Sequence, residues 1–403
     1  MKKKHLWQLS QASMGIVQWI GIAVVIAPLI ISRTGSGIVV GQVMMILGLC
    51  GIVAPVLGAL ADRYDLHRQL HLFALISHCA ALLLLLLASD TLWHYWGIAA
   101  LIGIGSNLLL ILNPTYALRL NPCVTSQTHS LKRLFQLQMF GVMVAGTLIG
   151  VLDYAGFGSS TQLIALLALD LVLLLVIIAA PPKNIVLNSS DNDRQTVHTN
   201  SRSKSLWFGF VLCVLLSMFV GSNMVEMGPV IIEQGFGVSL SSSSFGMAMA
   251  AAVTLIALQP AGRWMEKHGS HALWFVTVLV NLMVGVGIWL MYGQTVTALL
   301  PLSLVLISIV NGAWNDISIA ALADELSPYS PATSQGFMAA SVSMGFSFGT
   351  FIVGYFIDKQ SITSVMNFLA LSGIAITVLA SGILIVRKRA RLAIRAPKTV
   401  HQR

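Results

Sequence analysis

Charge is what this sequence has least of: 9% of its 403 residues are Asp, Glu, Lys or Arg, where an ordinary soluble domain carries roughly 25%. A water-soluble surface cannot be built from so few ionic groups. Cysteine is also sparse. Cys50, Cys79, Cys123 and Cys213 stand apart without CxxC spacing, three of them inside apolar segments, which excludes a disulfide framework and a zinc ribbon. No phosphate-binding glycine loop occurs, so ATP is not expected to drive the protein directly. No cluster of His, Asp or Ser at an interface marks a membrane enzyme, and no loop is long enough to house a soluble catalytic domain. His67 and His71 have helical i, i+4 spacing but no HExxH chemistry, and read as a solvated helix start rather than a metal site. The expectation is a non-enzyme with no metal and no cofactor.

What is present is apolar length. Hydrophobic residues make up 56% of the chain and the mean hydropathy is +0.84. Crossing a bilayer takes about 20 mostly apolar residues, and such runs predict helices 1 to 12 over 9–32, 39–61, 72–89, 96–118, 134–154, 162–180, 206–229, 241–262, 272–292, 297–322, 333–356 and 364–386. The polar stretch 181–205 reads as a flexible linker. It divides the chain into an N-terminal six-helix bundle (1–180), a C-terminal bundle (206–386) and a basic tail (387–403). With the N-terminus in the cytoplasm, every Lys and Arg except Arg33 and Lys359 falls inside, which predicts that orientation for both termini. The tail then lies against anionic headgroups. The net charge of +9 belongs to this pattern. Nucleic-acid binding would need a basic face on a soluble domain and is not expected. Met1 and three lysines lead into a helix without a small-residue cleavage site, which reads as a retained first span. Trp93, His94, Tyr95 and Trp96 predict an interfacial aromatic belt.

The two halves resemble each other in the same order. Ala27-Pro28-Leu29-Ile30-Ile31 corresponds to Gly228-Pro229-Val230-Ile231-Ile232, Gly58 through Asp62-Arg63 to Gly262 through Glu266-Lys267, and Asn107 to Asn311. Transporters are commonly built from such repeats, with the substrate site between them. Asp62 closes helix 2, where a carboxylate is stabilised by the free amides and positive end of another helix.

These residues resemble the loop between helices 2 and 3 of major facilitator superfamily transporters, which runs Gly, three residues, Asp-Arg, then Gly, Arg and Arg or Lys. Gly58, Asp62, Arg63 and Arg68 match it, while Asp65 stands where the family usually has Gly and His67 stands where a basic pair is common. The second copy keeps Gly262, Glu266, Lys267 and Gly269. The resemblance implies an all-α membrane protein, with twelve transmembrane helices in two pseudo-symmetric six-helix bundles. It implies a monomeric secondary transporter of a bacterial inner membrane, working by alternating access. It assigns Asp62 to the start of helix 11 near Thr333 to Gln335, and Glu266 to the start of helix 5 near Lys132 and Arg133. These contacts would bridge the halves on the cytoplasmic side. Arg263 and Lys267 are expected to pair with Asp324 or Glu325, a network that Arg119 makes asymmetric.

An ionisable group in hydrocarbon costs about 3 kcal/mol or more, so each one demands a reason. The sequence offers Asp316 in helix 10, Glu226 in helix 7 and Asp170 in helix 6. By the resemblance, helices 1, 4, 7 and 10 line the cavity, which puts Asp316 and Glu226 nearer a substrate than Asp170. The neutral candidates are Gln11, Gln18, Trp19, Asn107, Asn113, Asn223, Asn311, Trp314 and Asn315, all of which can equally bind helix to helix. No Lys or Arg is expected in the cavity core, which disfavours a strongly anionic substrate. Gly141, Gly146 and Gly150 in helix 5 and Gly345, Gly349 and Gly354 in helix 11 allow close packing, and Pro28, Pro114 and Pro229 predict kinks. The leading reading is efflux of a small organic molecule, such as a drug, siderophore or metabolite, by proton antiport. Uptake by symport or facilitated diffusion is the alternative, and a non-transporting sensor or assembly partner is the rival from another class.

Overall fold

The computed structural model describes residues 3–34, 37–87, 91–120, 124–182, 204–237, 243–297 and 299–395. Among these there is no strand, as expected where lipid offers the backbone no hydrogen bonds and each helix satisfies its own. The helices are α1 (3–34), α2 (37–64), α3 (His67–Leu87), α4 (Leu92–Arg119), α5 (Val124–Tyr154), α6 (Ser159–Ala179), α7 (204–236), α8 (Ser243–His268), α9 (Ser270–Met291), α10 (Leu299–Leu326), α11 (Pro331–Lys359) and α12 (Ile362–Arg395). All except α8, whose second half carries Gln259, Arg263, Glu266 and Lys267, contain a stretch long and apolar enough to cross a bilayer.

Several ends differ from the hydropathy reading. α5 begins at Val124 rather than 134, and α12 runs to Arg395 rather than 386, so the start of the expected tail is helical. Apolarity marks only the part of a helix in hydrocarbon, and both helices continue past it on polar residues. α7 is interrupted at Met227, just before Pro229, whereas α4 continues through Pro114. Within α1, Met14–Ile26 is wound as a π-helix, a form usually seen as short bulges at functional sites. Most of the expected linker (183–203), the end of the tail (396–403) and Cys123 lie outside the described residues.

One apolar core runs through α1–α6 and extends onto α8, α10, α11 and Leu273 of α9, and a second fills α7 and α9–α12. Glycines set the tightest crossings. A Cβ on Gly141 of α5 would stand 2.3 Å from the Ala12 carbonyl of α1, and one on Gly345 of α11 would stand 2.3 Å from the Leu215 carbonyl of α7. These equivalent crossings tie the fifth helix of each half to its first.

Candidate substrate cavity and gating contacts

Between the halves lies a cavity of about 1360 Å³ of empty space, its opening to solvent included, lined by α1, α2, α4 and α5 on one side and α7, α9, α10 and α11 on the other. Five expected residues line it: Gln18, Trp19, Asn311, Asn315 and Asp316. Asn311 is held by the neighbouring helix, its Nδ2 donating to the Thr277 carbonyl (3.1 Å) and Asn281 Oδ1 (2.9 Å). Because the carbonyl can only accept, Asn311 Oδ1 points the other way, and it has no partner among the described residues. Gln18 Oε1 is likewise without one. The described lining includes Met14, Met44, Met218, Met338 and Trp19, and holds no Lys, Arg or His.

Other candidates are used elsewhere. Trp314 Nε1 donates to the Ala257 carbonyl of α8 (3.0 Å), and Asn223 Nδ2 to the Phe219 carbonyl of its own helix (2.7 Å). Asn107 Oδ1 accepts from Ser343 of α11 (3.0 Å), so it joins the halves beside the cavity. The Glu226 side chain lies outside the described residues.

The motif residues cluster at one end of the bundle, the motif end. Asp62 Oδ2 accepts from the Thr333 amide (3.0 Å) and hydroxyl (3.3 Å) at the start of α11, and its Oδ1 meets His67 Nε2 at 3.1 Å. Gly58 makes this possible, since a Cβ there would lie 2.2 Å from the Ala332 carbonyl. Asp65 takes the left-handed conformation (φ +51°), and its counterpart Gly269 also has positive φ (+88°). Asp tolerates that region better than most residues, which is how the first copy manages without glycine. Arg63 lies 5.4 Å over the Tyr64 ring, and Arg68 is exposed.

The second copy is built differently. Glu266 is exposed and makes no polar contact among the described residues, while Lys132 runs its stem past Gly262 and donates to Gln259 (3.1 Å). The expected pairs of Arg263 and Lys267 do not form. Asp324 binds Arg119 across the halves (2.7 Å), and Glu325 takes Ser270 (2.7 Å) and Arg387, which the extended α12 brings within reach.

A polar interior in the first half was missed by the sequence reading. His67 and His71 are buried, not solvated, because α1 and α4 pack over this face of α3. His71 Nε2 meets Ser10 (2.8 Å) and Asn113 Oδ1 (3.0 Å), Asn113 donates to Gln11 (2.7 Å), and Gln11 donates to Gln138 (2.8 Å). Ser10, Ser13 and Gln138 offer no signal in a linear sequence, being ordinary small or polar residues in apolar runs. His78 could have been singled out as an ionisable group inside a span.

The family model described as Major Facilitator Superfamily matches residues 137–352. No curated protein matches the chain. Among solved structures, the fold is similar to the human organic anion transporter MFSD10 (TETRAN), with TM-score 0.70 and 13% identity over 94% of this chain and 97% of that one. It is similar also to the MFS transporter FucP in the outward conformation, with TM-score 0.66 and 15% identity over 95% of this chain and 98% of that one. With that model covering more than half of its length, on an all-α multi-pass membrane fold, the chain belongs to the Major Facilitator Superfamily of secondary transporters.

Proposed function

We propose that this transporter exports small organic compounds bearing hydrogen-bond donors or positive charge, in exchange for protons. The observation that carries the reading is Asp316. It lines the cavity together with Gln18 and Asn311, whose side-chain oxygens are buried without a hydrogen-bond partner among the described residues, and no basic side chain stands on the described walls. Acceptors and one carboxylate suit a donor-bearing cation, and the apolar methionines and Trp19 suit its organic body. An anion site would call for the guanidinium or ammonium groups that these walls lack. The organic anion transporter of similar fold is 13% identical, so its substrate class does not carry over. A proton and a cation compete for one carboxylate, and competition is the least that antiport needs. The distribution of Lys and Arg supports cytoplasmic termini, and a bacterial inner membrane with protons in excess outside would then drive export.

The test is flux in proteoliposomes under an imposed pH gradient, with a quaternary ammonium, a neutral amide and an organic carboxylate as probes. The ammonium is expected to move against the proton flux. Asp316→Asn is expected to lower that flux about tenfold or more, the loss of one charged contact of about 1.5–3 kcal/mol. Preference for the carboxylate would overturn the substrate class, and flux indifferent to the gradient would overturn the coupling.

A further inference from the structure

A buried cluster in the first half lies outside the cavity and serves none of the steps above. Asp170, in the middle of α6, is fully buried. Its Oδ2 accepts from the Cys79 thiol (3.2 Å), Ser13 also interacts with the carboxyl group, and Oδ1 has no hydrogen-bond partner among the described residues. Ser13 Oγ stands 2.7 Å from Nδ1 of His78, whose Nε2 reaches the Ser106 hydroxyl (3.1 Å). In the neutral ring one nitrogen donates and the other accepts, and with the hydrogen on Nε2 the Nδ1 accepts from Ser13. Gly105 makes room for the ring, since a Cβ there would lie 2.7 Å from His78 Cδ2. The scaffold itself does not require these groups: 204 residues on, the offset from Gly58 to Gly262, stand Leu282 for His78 and Ile374 for Asp170.

A bare carboxylate at this depth would cost about 3 kcal/mol or more. One proton between carboxyl and imidazole removes the net charge, and it has two places. It sits on Asp170 with His78 neutral, or on His78 with Asp170 ionised. Ser13 can connect the two, taking the carboxyl proton on its oxygen as it passes its own hydroxyl proton to Nδ1, so that no charge remains on the serine.

We propose that His78, Ser13 and Asp170 form a proton-binding site inside the N-terminal half, separate from Asp316 and reached from the motif end along α3. His67 touches Asp62, and His71 follows one turn on against Ser10, one turn from Ser13 on α1. His71 Nδ1 has no hydrogen-bond partner among the described residues, and the Tyr116 ring lies edge-on to His71 at 5.7 Å and to His67 at 6.4 Å. From residue 67 to residue 78 the ladder spans about 16 Å at 1.5 Å per residue. The titratable groups facing the site come from α3, namely Cys79 and, further along, His71. The α1 and α4 helices present hydroxyls and the carboxamide of Asn113. The ionisable residues of α5 stand toward its ends: His129, Lys132 and Arg133 in its first third, Asp153 and Tyr154 at its close. The site does not depend on the cavity reading and stands even if Asp316 proves silent.

The experiment is infrared difference spectroscopy of the full-length protein in lipid across a pH step, following the carboxyl C=O band. In an Asp316→Asn background, which removes the cavity carboxyl's own band, the band is expected to persist, and it is expected to vanish when Asp170→Asn is added. His78→Gln is expected to move its pH midpoint by about one unit or more, since the group that shares the proton is gone. His71→Gln is expected to slow the band's appearance several-fold without moving the midpoint. If Asp170→Asn fails to fold, Ser13→Ala replaces it and must move the midpoint. A band that survives Asp170→Asn in the Asp316→Asn background, or a midpoint unmoved in both His78→Gln and Ser13→Ala, overturns the site. An unchanged rate in His71→Gln overturns the ladder. A midpoint that follows sodium concentration instead of pH overturns the proton as ligand.

Discussion

Gly58 and Gly262 stand 204 residues apart, as do Asp65 and Gly269, and Gly141 and Gly345. The last pair makes the same backbone demand in both halves, a carbonyl packed on the fifth helix, and the second pair shares a positive φ, whereas at the motif the near neighbour is backbone at Gly58 and a side chain at Gly262. The side chains around them diverge. Asp62 grips the start of α11, whereas Glu266 faces solvent. His71, Asn113 and Asp170 of the first half are answered by Phe275, Ile317 and Ile374, and Asp316 of the second by Leu112. Apart from Asn107 and Asn311, which both halves keep, the repeat gives these polar groups to one half only. The latch and the buried histidines belong to the first half, and the cavity carboxylate to the second.

The widest gap between the halves is expected at the two motif carboxylates. Asp62→Ala removes charge-assisted bonds to the Thr333 amide and hydroxyl, each worth about 1.5–3 kcal/mol. The balance between the two ends should move by about ten- to a hundredfold or more. Labelling of single cysteines at the motif end would report the opening, and transport rates should fall in step. Glu266→Ala should change both by less than about twofold, as exposed charges usually do. Equal losses in the two variants would remove the asymmetry.

Much of this was legible in the sequence. Charge scarcity and apolar runs give the spans, and the repeated glycines and acids give the two halves. The contact of Asp62 with Thr333 joins residues 271 apart, and only the family resemblance pointed to it, because no local spacing can. The cavity residues Gln18, Asn311, Asn315 and Asp316 were visible as polar groups in helices 1 and 10, but so were Trp314 and Asn223, which face neighbouring backbone instead. Rotation about a helix axis decides between these, and hydropathy carries little of it when nearly every face is apolar. The cluster at Asp170 was hidden for a related reason. It draws on α1, α3, α4 and α6, each contributing one or two small or polar groups that look isolated in their own helix.

A smaller contrast separates the two motif glycines. A methyl at Gly58 would press on the Ala332 carbonyl at 2.2 Å and the Thr333 Cα at 2.9 Å, both backbone, whereas one at Gly262 would meet the flexible Lys132 stem at 2.7 Å. Gly58→Ala should therefore destabilise the closed motif end by about 1–3 kcal/mol, as overpacking does, and Gly262→Ala should be close to neutral as Lys132 swings aside. Thermal unfolding in detergent, together with the same cysteine labelling, would tell them apart. A tolerated Gly58→Ala would mean that α2 and α11 can separate without loss and that Asp62 alone holds the latch.

The smallest effect is expected from the ion pair that crosses between the halves at the ends of α4 and α10. Arg119 and Asp324 meet at 2.7 Å with their side chains 30% and 25% exposed, so water and salt screen them, and pairs of this kind contribute about 0.2–1 kcal/mol. Neither residue has a charged counterpart in the repeat, where Ala323 and Leu120 stand. A double-mutant cycle with Arg119→Ala and Asp324→Ala, read by motif-end labelling, should give a coupling in that range that fades with added salt. A coupling above about 2 kcal/mol would exceed what exposed pairs provide. It would make Arg119 a second latch beside Asp62, and would place it too in the first half.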